Sequence, residues 1–172
     1  MTGTWVLYLL YIKTKFELND GQIGIALFCL AFGLLMSIPF IPKVNARVGV
    51  GRSTKFGILM YTLCFNLPLL APSYLTLCMC LTLIGIFSGF TDVSMNALVS
   101  IIEKDDRQHF MSAAHGFFSL GGFLGAGIGS LLLAVFVSLA WHMCTVSCFI
   151  LLSNWYLSTE YVEVSDVDHA ES

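Results

Sequence analysis

The sequence predicts an all-α integral membrane protein, and three observations carry that prediction. Of 172 residues, 57% are hydrophobic and 11% charged, with a mean hydropathy of +0.83. That is more apolar surface than a soluble domain of this size can bury. The charges are also segregated, since no Asp, Glu, Lys or Arg occurs over 21–42, 56–91 or 108–159. A helix rises about 1.5 Å per residue and needs about 20 residues to cross about 30 Å of hydrocarbon, so these runs have membrane length.

Several function classes drop out at once. With a net charge of −3 and its Lys and Arg confined to short clusters, the chain offers no basic face for nucleic acid. Cys29, Cys64, Cys78, Cys80, Cys144 and Cys148 lie in apolar runs and read as free thiols rather than metal ligands or a disulfide framework. No His, Cys and Glu set has metal-ligand spacing, and Ser88 with His115 lacks a full hydrolase constellation. Neither a cofactor nor enzymatic chemistry is expected.

Taken in order, residues 1–12 precede Lys13 with too few apolar positions to span a bilayer. The segment lacks a signal peptide's basic start and small-residue cleavage site, so it reads as the second half of a helix whose start is missing. Residues 21–42 form the next pass. The long run from Phe56 to Ile102 holds a single charge, Asp92, and Pro68, Pro72 and Ser73 break it into helices over about 53–70 and 74–102. Residues 109–137 and 139–158 make two more passes with a turn near 138–142. The acidic end, 159–172, reads as a solvated, disordered tail.

If each run crosses once, Lys43, Arg47, Arg52, Lys55, Lys104 and Arg107 share one side, against Lys13 and Lys15 on the other. The positive-inside bias makes the richer side, and with it the tail, cytoplasmic.

An acid within hydrocarbon costs at least about 2.5 kcal/mol on insertion scales, so Asp92 is expected to face a bundle interior or water. At 100° per residue Gly85, Gly89, Asp92, Asn96 and Glu103 form one narrow stripe. His115, Ser119, Gly122, Ala126 and Gly129 form another on the following helix. Asp92 and Ser119 lie at one depth, Asn96 and His115 at another, so the two faces can look onto one cavity. Asp92 would exchange a proton there, with Asn96, His115 and Ser119 along the path; the bland alternative for these residues is interhelical hydrogen bonding. Gly85 and Gly89, and the Gly-x-x-x-Gly steps Gly121, Gly125 and Gly129, read as close helix contacts.

At this point the residues resemble a known family. The stretch Gly89-Phe-Thr-Asp-Val-Ser-Met-Asn-Ala97, then Glu103, then His115-Gly-Phe-Phe-Ser-Leu-Gly-Gly-Phe-Leu-Gly-Ala126, resembles helices four and five of bacterial major facilitator superfamily transporters of the YbjJ type, relatives of the fucose permease group. Trp5, Lys13, Gly24, Pro39, Pro42 and Ala46-Arg-Val-Gly49 with Arg52 are similar to the end of helix one, helix two and the loop that follows it. Ala46 stands where that loop motif normally has Asp, and Ala126 where the antiporter motif has Pro.

The resemblance implies the amino-terminal six-helix half of a twelve-helix fold, with helix one truncated and solute bound between halves. Helices one, two, four and five would line the path, with three and six outside. Asp92 and Asn96 have the spacing of a carboxylate and Asn implicated in proton coupling in fucose permeases. Lys43, Arg47, Gly49 and Arg52 would form a cytoplasmic gate.

The expected function is proton-coupled transport of a sugar or other small polar metabolite across a bacterial inner membrane. The implied partners are the lipid bilayer, solute, protons, and a missing carboxy-terminal half or a second copy. This half alone is expected to be inactive. The alternative is a non-transporting membrane interaction or scaffold protein, or a decayed transporter remnant.

Overall fold

A computed structural model describes residues 9, 11–106, 109, 111–135 and 139–171. Every regular element among them is helical: α1 (Asp20–Ser37), α2 (Ile41–Val48), α3 (Val50–Cys64), α4 (Leu67–Leu70), α5 (Tyr74–Asp106), α6 (Met111–Val135) and α7 (Leu139–Glu171). A short helical stretch at 11–15 precedes them. Among the described residues, α1 and the Tyr74–Lys104 part of α5 are long and apolar enough to cross a membrane.

Local chemistry sets the boundaries. Asn19 and Gln22 form a reciprocal capping box at the start of α1: the Gln22 amide donates to Asn19 Oδ1 at 2.9 Å and the Asn19 amide to Gln22 Oε1 at 3.0 Å. α1 stops at Ser37, short of the anticipated Pro42, because Pro39 has no N–H for the ladder and its ring clashes with the preceding turn. The Phe40 amide closes the intervening turn on the Ser37 carbonyl at 3.0 Å, and Pro42 sits in the first turn of α2, where a missing N–H costs nothing. Gly49 links α2 to α3 at φ 94°, a left-handed setting that disfavours side chains.

The following run also divides. α3 ends at Cys64 and α4 carries Pro68 in its first turn. Lys15 Nζ donates to the carbonyls of Leu69 (2.9 Å) and Ala71 (3.2 Å), closing off that short helix. The Met111 amide at the start of α6 donates to the Glu103 carboxylate at 2.6 Å, the favourable sign of charge for a helix N-terminus. Of the turn placed near 138–142, residue 138 lies outside the described residues, and 139–142 are instead the first turn of α7, helical from Leu139. α7 runs on to Glu171, so the acidic end is helical through that residue rather than disordered.

α5 is the central element, packed against α1 on one side and α3 on another, and α3 packs in turn on α7. Leu77, Leu81 and Ile84 of α5 meet Ala26 of α1, Phe65 and Met143 in the core. The α1–α5 seam is closed by glycine. A Cβ on Gly33 would fall on the Thr82 carbonyl oxygen, one on Gly85 on the Leu30 carbonyl oxygen, and one on Gly89 would lie 2.5 Å from Ser37 Oγ. Asn66 Nδ2, in the turn after α3, donates to Ser147 Oγ at 2.8 Å, and Asn154 Nδ2 to the Lys55 carbonyl at 3.3 Å, stitching α3 and its end to α7.

The outward faces are apolar. Phe117, Phe123 and Leu131 of α6 and Phe149 and Trp155 of α7 are all more than two-thirds exposed. An apolar exterior on this scale suits hydrocarbon rather than water. A Cβ added to Gly121 or Gly125 of α6 would meet no other segment within 4 Å among the described residues, and the surroundings of Gly129 lie outside them.

Candidate functional site

A cavity of about 640 Å³ opens beside the carboxy-terminal half of α5. Asp92, Asn96 and His115 all line it, joined by Ser88, Thr91 and Tyr61. Ser119 does not line it. It lies one turn further along α6, exposed, on a helix that meets α5 only lightly.

The way α1 ends explains why Asp92 is open. Gly85 and Gly89 share a stripe with Asp92 and Asn96, yet the two glycines are buried and the two polar residues exposed. Ser37, the last residue of α1, abuts Gly89. The chain then turns away, and the next turn of α5 is approached by α3 at Phe90 and Thr91 while its Asp92 side is left exposed on the cavity. One stripe thus serves two purposes: small residues where α1 covers it, polar ones where it does not.

The third wall is α3, which contributes Ile58, Tyr61, Thr62 and Phe65. The path implied by the resemblance left the corresponding helix outside. Its approach depends on Gly57, where a Cβ would lie 2.9 Å from Phe90 Cδ1 and 3.0 Å from Thr91 Oγ1. One turn beyond Gly57, Tyr61 shares the cavity wall with Ser88 and Asp92. Tyr61 stands in an apolar run with no sequence mark of its own. Only the spacing Gly57 to Tyr61, one helical turn, could have pointed to it.

Among the described residues that line the cavity, Asp92 is the one carboxylate and none is Lys or Arg. Around these polar groups the lining is apolar and aromatic, with Phe65 and Phe118, as in sites for small organic molecules. Among the described residues no cluster of His, Cys, Asp and Glu could hold a metal.

The gate candidates sit apart from this cavity. Lys43, Arg47 and Arg52 are exposed around the buried turn residue Gly49. Asn45, between the first two, is buried, and its Oδ1 accepts a hydrogen bond from Ser94 Oγ of α5 at 3.0 Å.

The Major Facilitator Superfamily family model matches residues 1–172. The chain belongs to the major facilitator superfamily. It is therefore a membrane protein of a transporter family and not an enzyme. It is 33% identical over 155 residues to an uncharacterized MFS-type transporter of Yersinia pestis, covering 87% of this chain and 39% of that protein. It is 28% identical to the uncharacterized transporter y4wD of Sinorhizobium fredii, covering 75% of this chain and 34% of the relative. With the membrane protein MosC of Rhizobium meliloti the figures are 25%, 69% and 29%. The chain thus spans well under half the length of these relatives. No solved structure matches it.

Proposed function

We propose that this superfamily chain is one half of a proton-coupled transporter for a small polar solute, a sugar or another metabolite, and that alone it carries nothing. The supporting observation is Asp92, an acid within a membrane-length helix, left exposed on a cavity of about 640 Å³ with no Lys or Arg among the described residues that line it. A carboxylate so placed is expensive unless water and solute reach it. Asp92 would take up and release the proton, Asn96 and His115 would contact the solute, and Ser119 would join the path once a second half closes over α6. Lys43, Arg47, Gly49 and Arg52 would form the cytoplasmic gate, with the membrane a bacterial inner membrane and the acidic end cytoplasmic.

The test places the chain in lipid vesicles, alone and co-expressed with the carboxy-terminal remainder of the Yersinia pestis relative. Proton movement is followed on addition of single sugars and small metabolites. The expected result is movement only with both halves, lost in Asp92→Asn while membrane insertion persists. Undiminished movement in Asp92→Asn would remove that residue from the mechanism, and movement by the chain alone would remove the need for a second half.

A second reading, a non-transporting interaction or scaffold role, draws on α6. Its Phe117 and Phe123 are exposed and its glycines Gly121 and Gly125 are uncovered, which suits association with another helix. Self-association of the chain without proton movement in any combination favours this reading.

A further inference from the structure

The reading of Asp92 leaves open what holds its carboxyl in a usable orientation. An uncovered acid on a long cavity wall is a poor proton carrier if its side chain is free to turn. On its own helix Thr91 Oγ1 is occupied with the Phe87 carbonyl at 2.8 Å, which leaves Ser88 and Asn96, one turn to either side, as donors on the cavity wall. Thr62, across the cavity, is likewise turned back to the Ile58 carbonyl at 2.7 Å. Among the described residues, the titratable groups facing the cavity are Asp92 on α5, His115 on α6 and Tyr61 on α3; α1 and α7 contribute Leu30 and Ile150.

Tyr61 differs from the other polar groups in being held. Its ring packs edge-on against Phe65 with centroids 5.9 Å apart and planes at 63°. One turn away Gly57 lets the α3 backbone close on Thr91. The close approach sets the distance of α3 from α5, and the phenol shares the cavity wall with Ser88 and Asp92, which stand one helical turn apart. A phenolic O–H can donate to a carboxylate and accept from a protonated carboxyl, so one group can serve both states of the acid.

We infer that Tyr61 is a positioning residue for Asp92: held by Phe65 and by the Gly57–Thr91 approach, its hydroxyl, together with Ser88, hydrogen-bonds and orients the carboxyl. This rests on the proposed protonation of Asp92. It makes α3 part of the working site, and it gives Gly57 a functional consequence, since a side chain there would lift Tyr61 away from α5.

Infrared difference spectra of the chain reconstituted in phospholipid vesicles, recorded between acid and alkaline buffer, test this directly. The carbonyl stretch of protonated Asp92 is isolated as the signal lost in Asp92→Asn. Tyr61→Phe keeps the ring and removes only the O–H, and is expected to move that band to higher wavenumber as the carboxyl loses a partner. Ser88→Ala, measured in parallel, is expected to move it the same way. A merely structural tyrosine would change stability without moving the band. An Asp92 band unchanged in both variants would overturn this inference alone. Absence of any Asp92 band in the parent chain would overturn the proton-coupling reading, and this inference with it.

Discussion

Ser94 Oγ donates to Asn45 Oδ1 at 3.0 Å with both side chains buried, so α2 is fastened to the middle of α5 by a bond enclosed in protein. Beside it lies a small groove of about 290 Å³ lined by Pro42, Ala46, Val50, Val93 and Ala97. Ala46 faces apolar neighbours there, at the place where the resemblance expects an acid. The docking of this short helix therefore relies on Asn45.

Ser94→Ala should loosen α2 selectively. It leaves the Asn45 amide oxygen buried without its donor, at a cost of about 1–3 kcal/mol. Since about 1.4 kcal/mol is tenfold in an equilibrium, the α2 amides should exchange hydrogen roughly tenfold faster or more, while exchange in the core of α5 stays unchanged. Equal exchange of α2 in parent and variant would show that apolar packing alone holds it.

Glycines of identical sequence appearance should respond differently. Gly85→Ala drives a Cβ onto the Leu30 backbone, which cannot yield without separating α1 from α5. Overpacking of this kind costs about 1–3 kcal/mol. Gly121→Ala meets nothing within 4 Å and should be neutral or slightly stabilising through helix propensity. Thermal unfolding in detergent distinguishes the two, and equal effects would contradict the packing described here.

The helical class was legible because uncharged runs of membrane length admit few other structures, and the family because the block from Gly89 to Ala126 is specific. The neighbours of each face were not legible. Helical periodicity puts Gly85 and Asp92 on one stripe, but only the ending of α1 at Ser37 covers one and exposes the other. Tyr61 was invisible for the same reason. Its role depends on how closely α3 approaches α5, a distance between helices that no single run encodes. The continuation of α7 through Glu171 escaped a compositional reading, because acidic residues can be solvated along a helix as well as in a coil.

Access of water to the cavity can be measured by thiol labelling. In a background with the six native cysteines replaced by alanine, Asn96→Cys, exposed on the cavity wall, should react with a membrane-impermeant maleimide added from the side on which the cavity opens. Ser94→Cys, two residues away and fully buried, should not react until the protein is denatured. Thiolate reactivity requires solvent access, so at least a tenfold difference in rate is expected. Similar rates at the two positions would place Asn96 in a dry seam.

His142 offers a test of the α3–α7 region independent of the cavity. The side chain is 3% exposed, and neither ring nitrogen has a hydrogen-bond partner among the described residues. A buried polar group in that condition costs about 1–3 kcal/mol relative to a satisfied or apolar one. His142→Leu removes both orphaned nitrogens and fills most of the same space next to the buried Met143. It should raise the unfolding midpoint in detergent, whereas His142→Ala, which removes the nitrogens but opens a void, should lower it. The opposing signs separate the polar penalty from the packing contribution. If His142→Leu destabilises as much as His142→Ala, the imidazole has a partner in the membrane that its buried position conceals.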